Sequence, residues 1–231
     1  MFRRPSLSVL KLALLLIITL LAAPARAQDG AAHEYGNILQ TYYSQNDPEL
    51  VGKTVTFLNT TSMPYQRLAP MLQGFFGALF QQNPAVKTAL YARLGEVKSA
   101  EHQQLFQRIR ATNLDSLYAQ ARPTPQLNDM NWSSYFATGN PKYLDNLLRN
   151  AQYYAERKDL MLFVTGSSAM WSLSSNARQH PAVGAYLAKA KSKNAALALK
   201  KEPGYFRQEM TEIVQQQRAK GVWDPNSYRP E

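Results

Sequence analysis

Four pairs of a polar residue followed by proline constrain the fold of this 231-residue chain most strongly. They are Asp47-Pro48, Asn83-Pro84, Asn140-Pro141 and His180-Pro181. An Asp or Asn side chain can accept a hydrogen bond from a free N–H group in the first turn of a helix. Proline suits the next position because its backbone is preset for helix and it lacks the N–H that would stay unbonded. The pairs therefore predict four helix starts, with histidine as the weakest cap.

The segments between these starts repeat hydrophobic residues at helical spacing. Downstream of Pro141, an apolar residue recurs every three or four positions, which is the period of one helix face. The members of this stripe are Tyr143, Leu144, Leu147, Leu148 and Ala151. The chain is therefore predicted to be all-α, with about nine or ten helices. The uneven spacing of the starts fits either a degenerate, solenoid-like array of helix pairs or a compact bundle.

Two further segments are predicted to be helices of opposite character. Residues 68–80 are apolar on nearly every side, which favours central burial over contact with a membrane or a partner. Residues 99–121 form a longer and more polar helix, which ends before a proline-rich break at residues 122–126. We interpret the break as a linker inside a single all-α domain, residues 28–231.

The N-terminus has the pattern of a secretory signal peptide over residues 1–27. Arg3 and Arg4 precede a mainly apolar run at residues 12–23, and an Ala-Arg-Ala cleavage pattern ends at Ala27. A membrane-spanning helix needs about 20 apolar residues, so this run is too short to cross a bilayer. We expect a periplasmic or secreted protein cleaved near Ala27, with a retained N-terminal anchor as the alternative.

Composition excludes several classes of chemistry. The chain has no cysteine, which rules out disulfides, cysteine nucleophiles and thiolate metal sites. Loss of residues 1–27 would remove four basic residues and leave 22 basic against 16 acidic ones. The resulting charge of +6 is scattered, and such a balance usually serves solubility.

No catalytic, metal or cofactor-binding residue is predicted. His33, His102 and His180 are far apart in the sequence, and we expect His102 to lie on a solvated helix face. Gly166-Ser-Ser-Ala lacks the second glycine of a nucleophile elbow and instead predicts a small-residue helix face for close packing. A pair of distant carboxylates of the glycosidase kind stays open. A non-enzymatic role is favoured, and no cofactor is expected.

The densest aromatic group lies in the second half of the chain. Its candidate partner-binding residues are Trp132, Tyr135, Phe136, Tyr143 and Trp171. Exposed together, they would form a binding surface, because aromatic side chains dominate binding hot spots. The alternative, that they form the core between consecutive helices, is more common at helical spacing.

A cluster of lysines is the main charged feature. Its members are Lys189, Lys191, Lys193, Lys200 and Lys201, interleaved with alanines. Nucleic-acid sites usually add stacking aromatic residues, so no nucleic-acid partner is predicted. A solvated helix face that touches an anionic membrane or envelope polymer is the better interpretation.

Two blocks carry a resemblance to a known group of proteins. The first, from Trp132, reads Trp-Ser-Ser-Tyr-Phe-Ala-Thr-Gly-Asn-Pro-Lys-Tyr-Leu. The second, from Ala169, reads Ala-Met-Trp-Ser-Leu-Ser-Ser-Asn-Ala-Arg-Gln-His-Pro-Ala-Val. In these blocks the chain resembles a group of bacterial exported helical proteins without an assigned function. The resemblance implies a tandem-helix protein of the bacterial envelope and brings no activity or site residue.

These observations favour a non-enzymatic exported protein that binds another protein or an anionic envelope component. An envelope hydrolase or lyase on a helical scaffold is the first alternative, and peripheral membrane association is the second. Two acidic residues across an aromatic-lined cleft would support the enzyme.

Overall fold

The structure, a computed structural model, describes residues 33–221 and is all-α over that range. It contains twelve α-helices and two short 3₁₀ helices, and no β-strand occurs between residues 33 and 221. The prediction of an all-α fold is therefore confirmed. The predicted signal peptide, residues 1–27, lies outside the described residues.

The helices follow one another with short connections. They are α1 (33–45), α2 (Leu50–Thr60), α3 (Tyr65–Gln82), α4 (Pro84–Arg93), α5 (Ala100–Ala111), α6 (Leu114–Gln120), α7 (Pro125–Thr138), α8 (Lys142–Ala151), α9 (Leu160–Gln179), α10 (Pro181–Lys189), α11 (Lys193–Lys200) and α12 (Pro203–Ala219). The 3₁₀ helices are Leu94–Glu96 and Gln152–Ala155.

The polar–proline pairs lie at helix starts, but their capping chemistry differs. Asn83 caps α4 as predicted, because its side chain accepts a hydrogen bond of 3.2 Å from the N–H of Val86. Asp47 and Asn140 instead each accept a bond from the N–H two residues later, just before their helices begin. His180 makes no capping bond with its side chain. Proline therefore marks the start of these helices more reliably than the residue before it.

The prediction of about nine or ten helices is too low, and Asn113 gives one reason. The segment 99–121 was predicted as one helix, but α5 ends at Ala111 and α6 begins at Leu114. Asn113 caps α6 by accepting a hydrogen bond of 2.9 Å from the N–H of Ser116. An asparagine inside an apolar period therefore ends one helix and starts the next.

Helix α3 lies at the centre of the apolar core. Its side chains Leu68, Leu72, Phe75 and Phe76 are fully buried, which agrees with the predicted central burial of residues 68–80. We call Phe75, Phe76, Phe80 and Phe106 the phenylalanine cluster, since each ring lies within 5.5 Å of another member. No helix in residues 33–221 combines the length and the apolar character that crossing a membrane requires.

Two glycines allow helices to approach one another closely. A Cβ atom on Gly74 of α3 would lie 2.3 Å from the backbone oxygen of Met130 in α7. A Cβ atom on Gly166 of α9 would lie 2.0 Å from the backbone nitrogen of Tyr154, in the second 3₁₀ helix. The predicted close packing at Gly166 is confirmed. These contacts fix α3 against α7, and α9 against the turn that precedes it.

Helix α9 organises the second half of the molecule. It has 20 residues and packs against α7, α8, α10, α11 and α12. At a rise of about 1.5 Å per residue it is about 30 Å long. Between α7 and α9, on the side facing α1 and α3, the packing leaves a groove.

Candidate functional site

A groove of about 360 Å³ lies between α1, α3, α7 and α9, and we call it the four-helix groove. Its lining mixes aromatic side chains with hydroxyl, amide and charged groups. The polar lining consists of Gln40, Arg67, Asp129, Ser133, Ser172, Ser175, Asn176 and Gln179. The aromatic lining consists of Phe75, Trp132, Phe136 and Trp171. A concave site with a few polar groups among apolar ones is the usual form of a ligand site.

Helical periodicity explains why these residues meet in the groove. In α9, Ser172, Ser175, Asn176 and Gln179 are spaced three and four residues apart and lie on one face. In α7, Asp129, Trp132, Ser133 and Phe136 show the same spacing. Each helix therefore presents a continuous stripe to the groove.

The aromatic floor of the groove is formed by α7. Trp132 stacks on Phe136 with ring centroids 5.5 Å apart and an angle of 25° between the rings, and both side chains are buried. The indole Nε1 of Trp132 is buried and has no hydrogen-bond acceptor among residues 33–221. A buried donor without an acceptor costs about 1–3 kcal/mol. Buried polar groups without a hydrogen-bond partner are often found at functional sites.

Trp171 is the exposed aromatic residue of the groove. Its side chain is 39% exposed, and the guanidinium of Arg207 in α12 lies 5.7 Å from the ring centroid. A cation over an indole face is attracted to it, so Arg207 limits the motion of the ring. The indole is thus held in a defined position while it remains accessible to a ligand.

Two opposite charges line the groove without pairing. Asp129 and Arg67 are both exposed, and neither makes an ion pair or a side-chain hydrogen bond within residues 33–221. Loss of hydration among the surrounding protein atoms raises the pKa of Asp129 to about 6. Water at the exposed part of the side chain limits this effect on the pKa. Both groups are available to a ligand.

A second cavity, of about 380 Å³, lies between α1 and α2, and two of its three charged lining residues, Lys53 and Glu49, are paired with each other. Lys53 bonds the carboxylates of Asp47 at 2.8 Å and Glu49 at 3.1 Å. Glu34 also lines it, next to residues outside the described range. The four-helix groove is therefore the better candidate site.

The structure brings only part of the predicted aromatic site together. Trp132, Phe136 and Trp171 line the four-helix groove. Tyr135 and Tyr143 do not line it and are buried, with 3% and 2% of their surface exposed. Of the five predicted residues, Trp171 alone is exposed.

The polar half of the groove was missed from the sequence. Asp129, Arg67, Asn176 and Gln179 were not predicted as site residues. The signal was available in α9, where Ser172, Ser175, Asn176 and Gln179 form a polar stripe at helical spacing. The convergence of four helices could not be read from the sequence, because α1 and α9 are more than a hundred residues apart.

The histidines do not form a metal site. Within residues 33–221, no group of three or more His, Cys, Asp or Glu side chains could hold a metal ion. His102, which was expected to be solvated, is only 8% exposed, and its Nδ1 lies 3.2 Å from the backbone oxygen of Leu58. That expectation was wrong because α5 turns this face toward α2.

The lysine cluster lies on the surface of α10, α11 and their flanking turns. Lys189, Lys191, Lys193 and Lys200 are exposed, and Lys201 lies 4.4 Å from the ring centroid of Tyr205. No acidic residue occurs from residue 181 to residue 201. This face has a strong positive charge and is separate from the four-helix groove.

Comparisons of the chain with protein-family models, curated proteins and solved structures gave no match. The resemblance of the two tryptophan blocks to exported helical proteins therefore stays a prediction.

Proposed function

We propose that this chain is a non-enzymatic exported protein that binds a protein or an envelope component in the four-helix groove. The observation that supports this most directly is the unpaired state of Asp129 and Arg67 beside the exposed indole of Trp171. In the cavity between α1 and α2, by contrast, Lys53 is paired with Asp47 and Glu49. Groups kept without partners in a concave site favour a role in binding.

The exposure of large hydrophobic residues supports the same site. Within residues 33–221, only Trp171, Leu199 and Tyr205 are large hydrophobic residues with substantial exposure. Of these, Trp171 alone lines the groove. A tryptophan in a concave surface is a typical anchor for binding.

The proposal includes export and an extended arrangement of helices. Arg3, Arg4 and the mainly apolar run at residues 12–23 support a cleaved signal peptide and a periplasmic or secreted location. From α7 to α11, each helix packs against the next, which supports an irregular array of helical pairs. Arrays of this kind present extended concave surfaces to their partners.

Capture from an envelope extract tests the binding role. The purified chain, immobilised, should retain a component that Trp171→Ala no longer retains, because the substitution removes the accessible indole from the groove. Tyr205→Ala is the matched control, since Tyr205 is similarly exposed, at 43%, and lies outside the groove. Equal retention by the wild type and Trp171→Ala would contradict the proposal.

A second candidate function, an envelope hydrolase or lyase, is favoured by one observation. Asp129 has a pKa raised to about 6 by lost hydration, and a carboxylic acid of this kind can donate a proton near neutral pH. It is, however, the only carboxylate among the described residues that line the groove, so a carboxylate pair is not formed there. Mass spectrometry of the captured component separates the two functions: an intact ligand supports binding, and a cleaved one supports the enzyme.

A further inference from the structure

The geometry points to a saccharide chain as the ligand of the four-helix groove. This inference rests on the proposed binding function and names the chemistry of the ligand. It follows from three features: an accessible indole held in place, a lining that can both donate and accept hydrogen bonds, and the poor fit of other ligand classes.

The first feature is the indole platform of Trp171. A pyranose ring presents a patch of C–H groups on one face, and such a patch packs on a flat aromatic ring. Trp171 is 39% exposed at the groove, and Arg207 at 5.7 Å from its centroid restrains it from α12. A restrained aromatic side chain loses little conformational entropy when a ligand binds.

The second feature is the capacity of the polar lining to form hydrogen bonds. Sugar hydroxyls donate and accept hydrogen bonds, so they match a site that offers both kinds of group. Asp129 can accept, Arg67 can donate, and the amide of Gln40 can do both. On α9, the Asn176 amide donates to the backbone oxygen of Ser172 at 3.0 Å, and its own oxygen accepts no bond from residues 33–221. The groove is therefore lined by donors and acceptors from α1, α3, α7 and α9.

The buried indole N–H of Trp132 adds an independent observation. Trp132 is only 6% exposed, lines the groove and lacks an acceptor for Nε1 among the described residues. Because Nε1 is closed off from solvent, a ligand oxygen would bond it and remove this cost only if the surrounding side chains moved apart. Sugar hydroxyl and ring oxygens are suitable acceptors.

Peptide ligands fit this groove poorly. Strand addition requires an exposed sheet edge, and residues 33–221 contain no strand. A helix in a groove requires a continuous row of accessible apolar residues. Of the six larger apolar side chains that line this groove, four are buried and only Met71 and Trp171 are accessible. A proline-rich segment requires several exposed aromatic rings, and Trp171 is the one exposed ring among the described groove residues.

Anionic polymers fit the lysine cluster better than they fit the groove. Asp129 and Arg67 carry opposite charges, so the described lining of the groove has no excess positive charge. The positive face of the molecule is the lysine cluster on α10 and α11, outside the groove. A largely uncharged saccharide is the class that matches the groove.

Calorimetric titration of the purified chain with soluble hexasaccharides tests the inference. The probes are β-1,4-linked N-acetylglucosamine, β-1,4-linked glucose and α-1,4-linked glucose. We expect at least one to bind, and Trp171→Ala to weaken that binding by about tenfold or more, which corresponds to about 1.4 kcal/mol. Asp129→Asn should weaken it less, and Tyr205→Ala should leave it unchanged. A thermal melt of each variant shows whether the groove is still folded.

The outcomes separate the ligand class from the proposed function. If no hexasaccharide binds while an envelope protein is captured through Trp171, the inference of a saccharide ligand is overturned and the binding function stands. If neither binds, both fall. If a hexasaccharide binds and is cleaved, the ligand class is supported and the non-enzymatic function falls. Equal binding by the wild type and Trp171→Ala would also overturn the assignment to this groove.

Discussion

Two clusters, one around α3 and one around α9, are packed by different chemistry. Around α3, the phenylalanine cluster packs rings against one another without hydrogen bonds between side chains. Around α9, buried amides connect three helices, and we call Asn128, Asn150, Thr165 and Ser168 the asparagine network. Asn128 donates to the backbone oxygen of Thr165 at 2.9 Å and to the hydroxyl of Ser168 at 2.7 Å. Asn150 donates to the side-chain oxygen of Asn128 at 2.8 Å.

The two clusters contribute different things: the phenylalanine cluster mainly stabilises the fold, and the asparagine network mainly fixes how the helices are aligned. Hydrophobic burial has no direction, so the phenylalanine cluster contributes free energy without fixing one register of the helices. The asparagine network requires each partner in one position, because a buried polar group without its partner is costly. The four-helix groove lies between these regions, with α3 on one side and α9 on the other.

The largest expected effect is a loss of stability on truncating the phenylalanine cluster. Phe76 is fully buried between Phe75 and Phe106, so Phe76→Ala removes a whole ring and leaves a cavity. We expect the free energy of unfolding to fall by about 3–5 kcal/mol in denaturant titration. Leu199→Ala, at an exposed position, should change it by less than about 0.5 kcal/mol. A similar small change for both variants would show that this cluster is not the main apolar core.

The next effect concerns the close approach of α3 and α7. Gly74→Ala would place Cβ 2.3 Å from the backbone oxygen of Met130, and a backbone atom cannot move aside as a side chain does. We expect a loss of about 3 kcal/mol in the free energy of unfolding, at the upper end of overpacking costs. Gly95→Ala is the control, because no atom lies within 4 Å of its added Cβ. Thermal unfolding of both variants gives the comparison, and equal melting temperatures would contradict the close approach.

Disruption of the asparagine network should have a moderate and non-additive effect. Asn128→Ala removes the acceptor of Asn150 and both donors to α9, and we expect a loss of about 2 kcal/mol. The double variant Asn128→Ala with Asn150→Ala should lose less than the sum of the single losses, because the two side chains share one bond. Denaturant unfolding of the four proteins measures this coupling. Strict additivity would mean that the network does not act as a unit.

The smallest effect is a change in the pH dependence of stability at Asp129. Its folded pKa of about 6 lies above the ordinary value of 3.8 for this side chain, so the folded state binds more protons between these pH values. The free energy of unfolding should therefore fall as the pH rises from about 4 to about 6. Asp129→Asn should remove this fall and raise the melting temperature slightly at pH 7. Asp115→Asn, at an exposed ion pair with Lys142, is a control that should keep the slope.

The helix starts and the buried helix could be predicted from the sequence. The way in which distant helices come together could not. Proline after a polar residue located helix starts, and the apolar run at residues 68–80 indicated a buried helix, since both depend on neighbouring residues. The helix break at Asn113 was missed because its capping role competes with an otherwise continuous period.

The candidate site was only partly predictable for the same reason. Trp132 and Trp171 were both predicted as site residues, but their different exposure depends on how the helices pack around each of them. The pairing state of Asp129 and Arg67 depends on what the other helices bring near them. Such facts belong to the tertiary structure and not to the spacing of residues.

The contact between Tyr43 and His180 has a consequence for the order of folding. The Tyr43 hydroxyl lies 3.3 Å from the His180 Nδ1 across a separation of 137 residues, and the Tyr43 ring packs on Tyr135. The chain must lose conformational entropy to close a loop of this length before so distant a contact can form. Since α1 forms one wall of the groove and α9 another, a chain emerging from its N-terminus cannot complete the groove until α9 has emerged. The four-helix groove is therefore completed only after α9 has been synthesised.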